Sequence, residues 1–92
     1  MIRFYDIELF GFSFYYDSED FILTIEIKSY NRFYKIRCLL SDKDCVALKQ
    51  LFYILKTDIL DSIDLVAEEH YLKFLTGDNV DCIKINNYEL IP

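Results

Sequence analysis

The chain has 92 residues, 53% of them hydrophobic and 17% aromatic, with a formal net charge of −6. A chain of this length suits one domain, 1–92, burying roughly 60–65% of its unfolded surface, and its apolar content excludes intrinsic disorder. Two Gly, one Pro, charges interrupting every apolar run and no basic-then-apolar leader at "MIRFYDIELF" lead to the expectation of a cytoplasmic domain without linker, membrane span or signal peptide.

The elements follow in chain order. In "YDIEL", Tyr5, Ile7 and Leu9 alternate with Asp6 and Glu8 as a strand requires, and the period blurs at "FGFSFYY", where a bulge or bend at Gly11 accounts for it. "DSED" (17–20) is a polar turn. "FILTIEIKS" then places Phe21, Leu23, Ile25 and Ile27 inward, and after "YNR" the strand "FYKIRCLL" places Tyr34, Ile36, Cys38 and Leu40 inward. Three such strands in sequence form an antiparallel meander.

Ser41 reads as an N-cap, with Asp42 and Asp44 in a first turn where the helix dipole favours negative charge. A helix over 42–56 follows, its stripe formed by Cys45, Leu48, Leu51, Phe52 and Leu55. Residues 57–67 fit a short helical turn leading into a strand over Ile63, Leu65 and Ala67. Beyond them, Tyr71–Leu75 and Cys82–Ile85 alternate on either side of Thr76-Gly77-Asp78-Asn79, a hairpin loop. The expected fold class is α+β: an antiparallel sheet, β-β-β-α-β-β-β or β-β-β-α-α-β-β, with one amphipathic helix packed on one face.

Charge is unevenly distributed along this order. Residues 1–56 hold equal numbers of acids and bases, whereas 57–92 hold Asp58, Asp61, Asp64, Glu68, Glu69, Asp78, Asp81 and Glu89 against Lys73 and Lys84, which is the whole net charge of −6. Such a surface repels phosphate and so argues against a direct nucleic-acid binder. It suits either a solvated face or the cationic cleft of a basic protein.

Cys38, Cys45 and Cys82 are odd in number and widely spaced, which points to buried, reduced thiols rather than a disulfide framework or a zinc knuckle. Glu68-Glu69-His70 lacks a second His, and "GDNVD" lacks the twelve-residue calcium loop. Nothing pairs a carboxylate with a nucleophile or a phosphate loop. No catalytic residue, metal or cofactor is therefore expected, and the chain is read as non-enzymatic. Phe10, Phe12, Phe14, Tyr16 and Tyr30 are either an aromatic face for a partner or a second layer of core.

From Ile7 to Phe74 the order of "FILTIEI", then "CLLS" running into "DKDCVALKQLFYIL", then "SIDLVAEEHYLKF" resembles bacterial immunity proteins of the WapI type. In size and acidity the chain is also similar to phage anti-CRISPR proteins. Both resemblances imply an inhibitor that binds a nuclease toxin or a CRISPR effector and blocks it. The expectation is an acidic domain, monomeric or weakly dimeric, that sets Asp58, Asp61, Asp64, Glu68 and Glu69, with Asp78 and Asp81 as secondary contacts, where phosphates would lie. The alternative is an assembly module that self-associates through its aromatic strands or an exposed sheet edge.

Overall fold

A computed structural model of the chain describes residues 1–40, 45–57 and 62–92, apart from the side chains at 45, 47 and 54–57. Its elements are β1 (Ile2–Phe4), β2 (Glu8–Asp17), β3 (Asp20–Ser29), β4 (Arg32–Leu40), α1 (Cys45–Thr57), β5 (Ile63–Ala67), β6 (Tyr71–Thr76) and β7 (Asn79–Ile91). The strands form one antiparallel seven-stranded sheet in the order β1-β5-β6-β7-β4-β3-β2. The class is α+β, as the hydrophobic periods require.

Alternation dictates the inner face. Leu23, Ile25 and Ile27 of β3 are fully buried, as are Ile36 and Cys38 of β4, which pair with Ile25 and Leu23 across the ladder. In the other half, Leu65 of β5 pairs with Phe74 of β6, and Ala67 with Leu72, all four fully buried. Side chains two apart on a strand share a face, so these sets form a continuous apolar surface.

Two devices curl the sheet around that surface. β7 pairs with β6 through Asn79–Lys84 and with β4 through Ile85–Ile91, and its register slips by one residue at Asn86, so one strand serves both halves and bends between them. At the opposite corner Tyr5–Ile7 carries the chain from one sheet edge, β1, to the other, β2. There the Ile7 N–H donates to the Ile63 carbonyl at 2.8 Å and the Ser29 hydroxyl to the Tyr5 carbonyl at 2.6 Å. Phe4 of β1 consequently lies 4.8 Å, ring centre to ring centre, from Tyr34 of β4.

α1 contributes two side chains to the buried cluster. Leu48 and Phe52, spaced four apart on one helix face, are buried. The Phe52 ring stacks on Phe12 of β2 at 4.9 Å and meets Phe74 of β6 edge-on at 5.5 Å. Burial of such a ring stabilises the fold by ~1.5–3 kcal/mol, and favourable ring geometry adds ~0.5–1.5 kcal/mol.

Several expectations need adjustment. The first strand divides in two: Asp6, with φ 46°, turns the chain, leaving Ile7 buried but Tyr5 half exposed. The irregularity near Gly11 is a bulge, with the register against β3 shifting between Leu9 and Gly11. The last strand is far longer than Cys82–Ile85. The N-cap at Ser41, the first-turn Asp42 and Asp44, and the helical turn after Thr57 lie outside the described residues, as do the side chains of Cys45 and Leu55 in the helix stripe.

Candidate acidic interface

The carboxylates of the C-terminal third are sorted by β5. Its register sets Ile63 opposite Thr76 and Ala67 opposite Leu72, so Asp64 lies at the end of the sheet that carries the β6–β7 turn, while Glu68 and Glu69 leave from the other end. Four residues of strand, about 13 Å, separate Asp64 from Glu68. The residues singled out from the sequence thus divide into two groups.

Asp64 is engaged within the molecule. Its Oδ2 accepts from Arg3 Nη2 at 2.8 Å and its Oδ1 from the Asp6 N–H at 2.8 Å. The guanidinium, followed by the backbone donor, holds the Asp64 carboxyl below the usual carboxylate range. Arg3 belongs to β1, which pairs with β5 through Arg3 and Val66, so the ion pair braces the short edge strand and the turn at Asp6. The physical role of Asp64 is structural.

Glu68 is likewise paired, its Oε2 lying 3.2 Å from Lys73 Nζ. Glu69 is almost fully exposed, at 86% of its side chain, with the His70 Nε2 3.8 Å from its Oε1. It borders a recess of about 540 Å³ with Met1, Asn86, Asn87 and Tyr88. A third neutralisation, not legible in the tail's own sequence, joins Glu89 to Arg37 at 3.0 Å across the β4–β7 ladder.

Asp78 and Asp81 differ from these. Asp78 sits in the tight turn between Thr76 and Asn79, where Gly77 takes φ 57°, and Asp81 lies three residues on, opposite Phe74. Both are exposed, and no cation among the described residues pairs with either. Ser62 and Ile63 enter β5 at this same end of the sheet. Asp58 and Asp61 lie outside the described residues.

The aromatic candidates also separate. Phe12 and Phe14 reach inward, Phe12 onto Phe52 and Phe14 onto Phe21 at 5.9 Å, while Tyr16 tilts against Phe21 at 4.9 Å. Phe10, the bulge residue, turns to the outer face and meets Phe33 at 5.2 Å. These two rings, with Glu26, Lys35, Ile91 and Pro92, border a groove of about 380 Å³. Tyr30 stands on the β3–β4 turn, 74% exposed, and is part of neither group.

Cys38 is buried, and desolvation pushes its thiol up to about 12, so it behaves as a small apolar residue. Cys82, expected to be buried, is exposed on the outer side of β7, opposite Lys73. Among the described residues no group of three His, Cys, Asp or Glu is placed to hold a metal ion, and no helix is long and apolar enough to cross a membrane. Compared with protein-family models, with curated proteins and with solved structures, the chain finds no match in any of the three.

Proposed function

We propose that this chain is a non-catalytic inhibitor that binds the basic surface of a nucleic-acid-processing protein, a nuclease or a CRISPR effector, and blocks access to it. The observation that carries this reading is the pair of exposed carboxylates, Asp78 and Asp81, at the tip of β6–β7, unneutralised among the described residues and at the end of the sheet where the chain after Asp58 and Asp61 re-enters. A hairpin end with fixed negative charge suits a cationic cleft. Such fields raise association rates ~10–10³-fold and are screened over ~8 Å at physiological salt.

The contact set is narrower than the sequence suggests. Asp64 and Glu68 hold Arg3 and Lys73, and Glu69 faces away from the hairpin end, so the partner is assigned to Asp78 and Asp81, with Asp58 and Asp61 retained from the sequence. The test is inhibition of nucleic-acid cleavage by a panel of nucleases and CRISPR effectors at low salt. The double variant Asp78→Lys/Asp81→Lys loses inhibition of the responsive enzyme, while Glu68→Lys/Glu69→Lys keeps it. A panel without a responsive enzyme, or equal inhibition by both variants, overturns the reading.

A further inference from the structure

Left-handed backbone gathers at one corner of the molecule. Of the four non-glycine residues with positive φ among the described residues, three, Asp6 (46°), Tyr30 (50°) and Asn31 (64°), meet where the turn between β1 and β2 lies beside the turn between β3 and β4. The two turns are tied together, because the buried Ser29 hydroxyl, one residue before Tyr30, donates at 2.6 Å to the carbonyl of Tyr5, one residue before Asp6. A bulky L-residue is unfavourable at such φ, and strain of this kind persists mainly at functional sites, held there by the surrounding contacts. Tyr30 gives the core nothing in return, since it is 74% exposed. Gly or Asn would make the same turn without the strain.

Tyr5 stands beside it, half exposed, with the Arg3 guanidinium 5.0 Å from its ring centre and that guanidinium fixed on Asp64 at 2.8 Å. Tyrosines held outward on ordered backbone lose little freedom on binding and are enriched among the residues that dominate protein interfaces. The corner also adjoins the acidic hairpin. The Ile7 N–H bonds the Ile63 carbonyl, Ile63 pairs with Thr76, and Thr76 begins the turn that carries Asp78. Two steps between strands span ~10 Å, well inside an interface of ~800 Å² per partner.

We propose that Tyr5 and Tyr30 are the apolar anchor that holds the same basic target which Asp78 and Asp81 attract; the inference rests on the function proposed above. Charge at the corner is balanced, Arg3 by Asp64 and Arg32 in number by Asp6, so the tyrosines add no steering. The hairpin sets the rate of arrival, and the tyrosines set the residence time.

Stopped-flow association and chase experiments with the responsive enzyme separate the two contributions. Tyr30→Gly relieves the turn, so it is expected to raise the thermal midpoint of the free chain and yet to speed dissociation roughly tenfold or more, with association within about twofold of the parent. Tyr5→Ser speeds dissociation in the same way. Tyr71→Ser, at an exposed position on the opposite end of the sheet, leaves both rates unchanged. Unaltered dissociation in Tyr30→Gly and Tyr5→Ser, alongside slowed association in Asp78→Lys/Asp81→Lys, would overturn the anchor and leave the acidic hairpin standing. So would dissociation accelerated equally in Tyr71→Ser. A Tyr30→Gly chain no more stable than the parent overturns it without any target, and a panel without a responsive enzyme overturns both readings.

Discussion

Arg3 and Asp64, 61 residues apart in sequence, are joined by a 2.8 Å ion pair that also orders the turn at Asp6, because the second Asp64 oxygen accepts the Asp6 N–H. This carboxylate braces the edge strand β1 against β5. Asp64→Asn keeps an acceptor for Asp6 but loses the charge, and is expected to cost about 1 kcal/mol in urea denaturation.

The same pair sets a pH dependence. The folded-state pKa of Asp64 lies below its ordinary value of 3.8. Its stabilising contribution is therefore fully present above that value and is lost as pH falls through the lower, folded pKa. Stability of the parent chain and of Asp64→Asn should differ at neutral pH and converge in acid. A difference that grows in acid would contradict the assignment.

Phe52 carries the attachment of α1. Phe52→Ala removes a ring that contacts both Phe12 and Phe74 and should cost ~3–5 kcal/mol, enough to unfold a marginal domain. Val46→Ala, at an exposed position of the same helix, should stay within about 0.5 kcal/mol. Chemical denaturation of both variants distinguishes a helix that packs into the core from one that merely borders it.

Much of this architecture was legible in the chain. The strict alternation of Leu23, Ile25 and Ile27, the spacing of Leu48, Leu51 and Phe52, and the Gly77 turn each carry their own period or turn chemistry. The division between β1 and β2 carried no such mark, because the turn is made by Asp6 at φ 46° without Gly or Pro. The length of β7 was hidden because Asn86 is a bulge residue that breaks the alternation just where the strand changes partner. The charge imbalance was plain in the sequence, but its partial cancellation was not. Arg3 and Arg37 come from the neutral part of the chain and meet Asp64 and Glu89 only through sheet pairing.

Tyr30 and Asn31 have φ 50° and 64°, as the two central residues of a primed hairpin turn require. Asn suits that region and Tyr does not, since a bulky L-residue there costs ~1–2 kcal/mol. Tyr30→Gly or Tyr30→Asn should accordingly raise stability by about 0.5–1 kcal/mol, measured as a shift of the denaturation midpoint at constant slope.

Thiol labelling offers an independent check on the burial pattern. In a Cys45→Ser background, Cys82 should react with an aromatic disulfide reagent in the native state. Cys38, buried and with its thiol held near 12, should react only after unfolding.

The acidic hairpin is the central claim, and the association rate with the responsive nuclease or effector tests it most directly. Stopped-flow measurement at low salt should show association by Asp78→Lys/Asp81→Lys slowed by about tenfold or more, the difference shrinking as salt is added and the thermal midpoint unchanged. An unaltered association rate at low salt, in a variant that remains folded, would contradict the account.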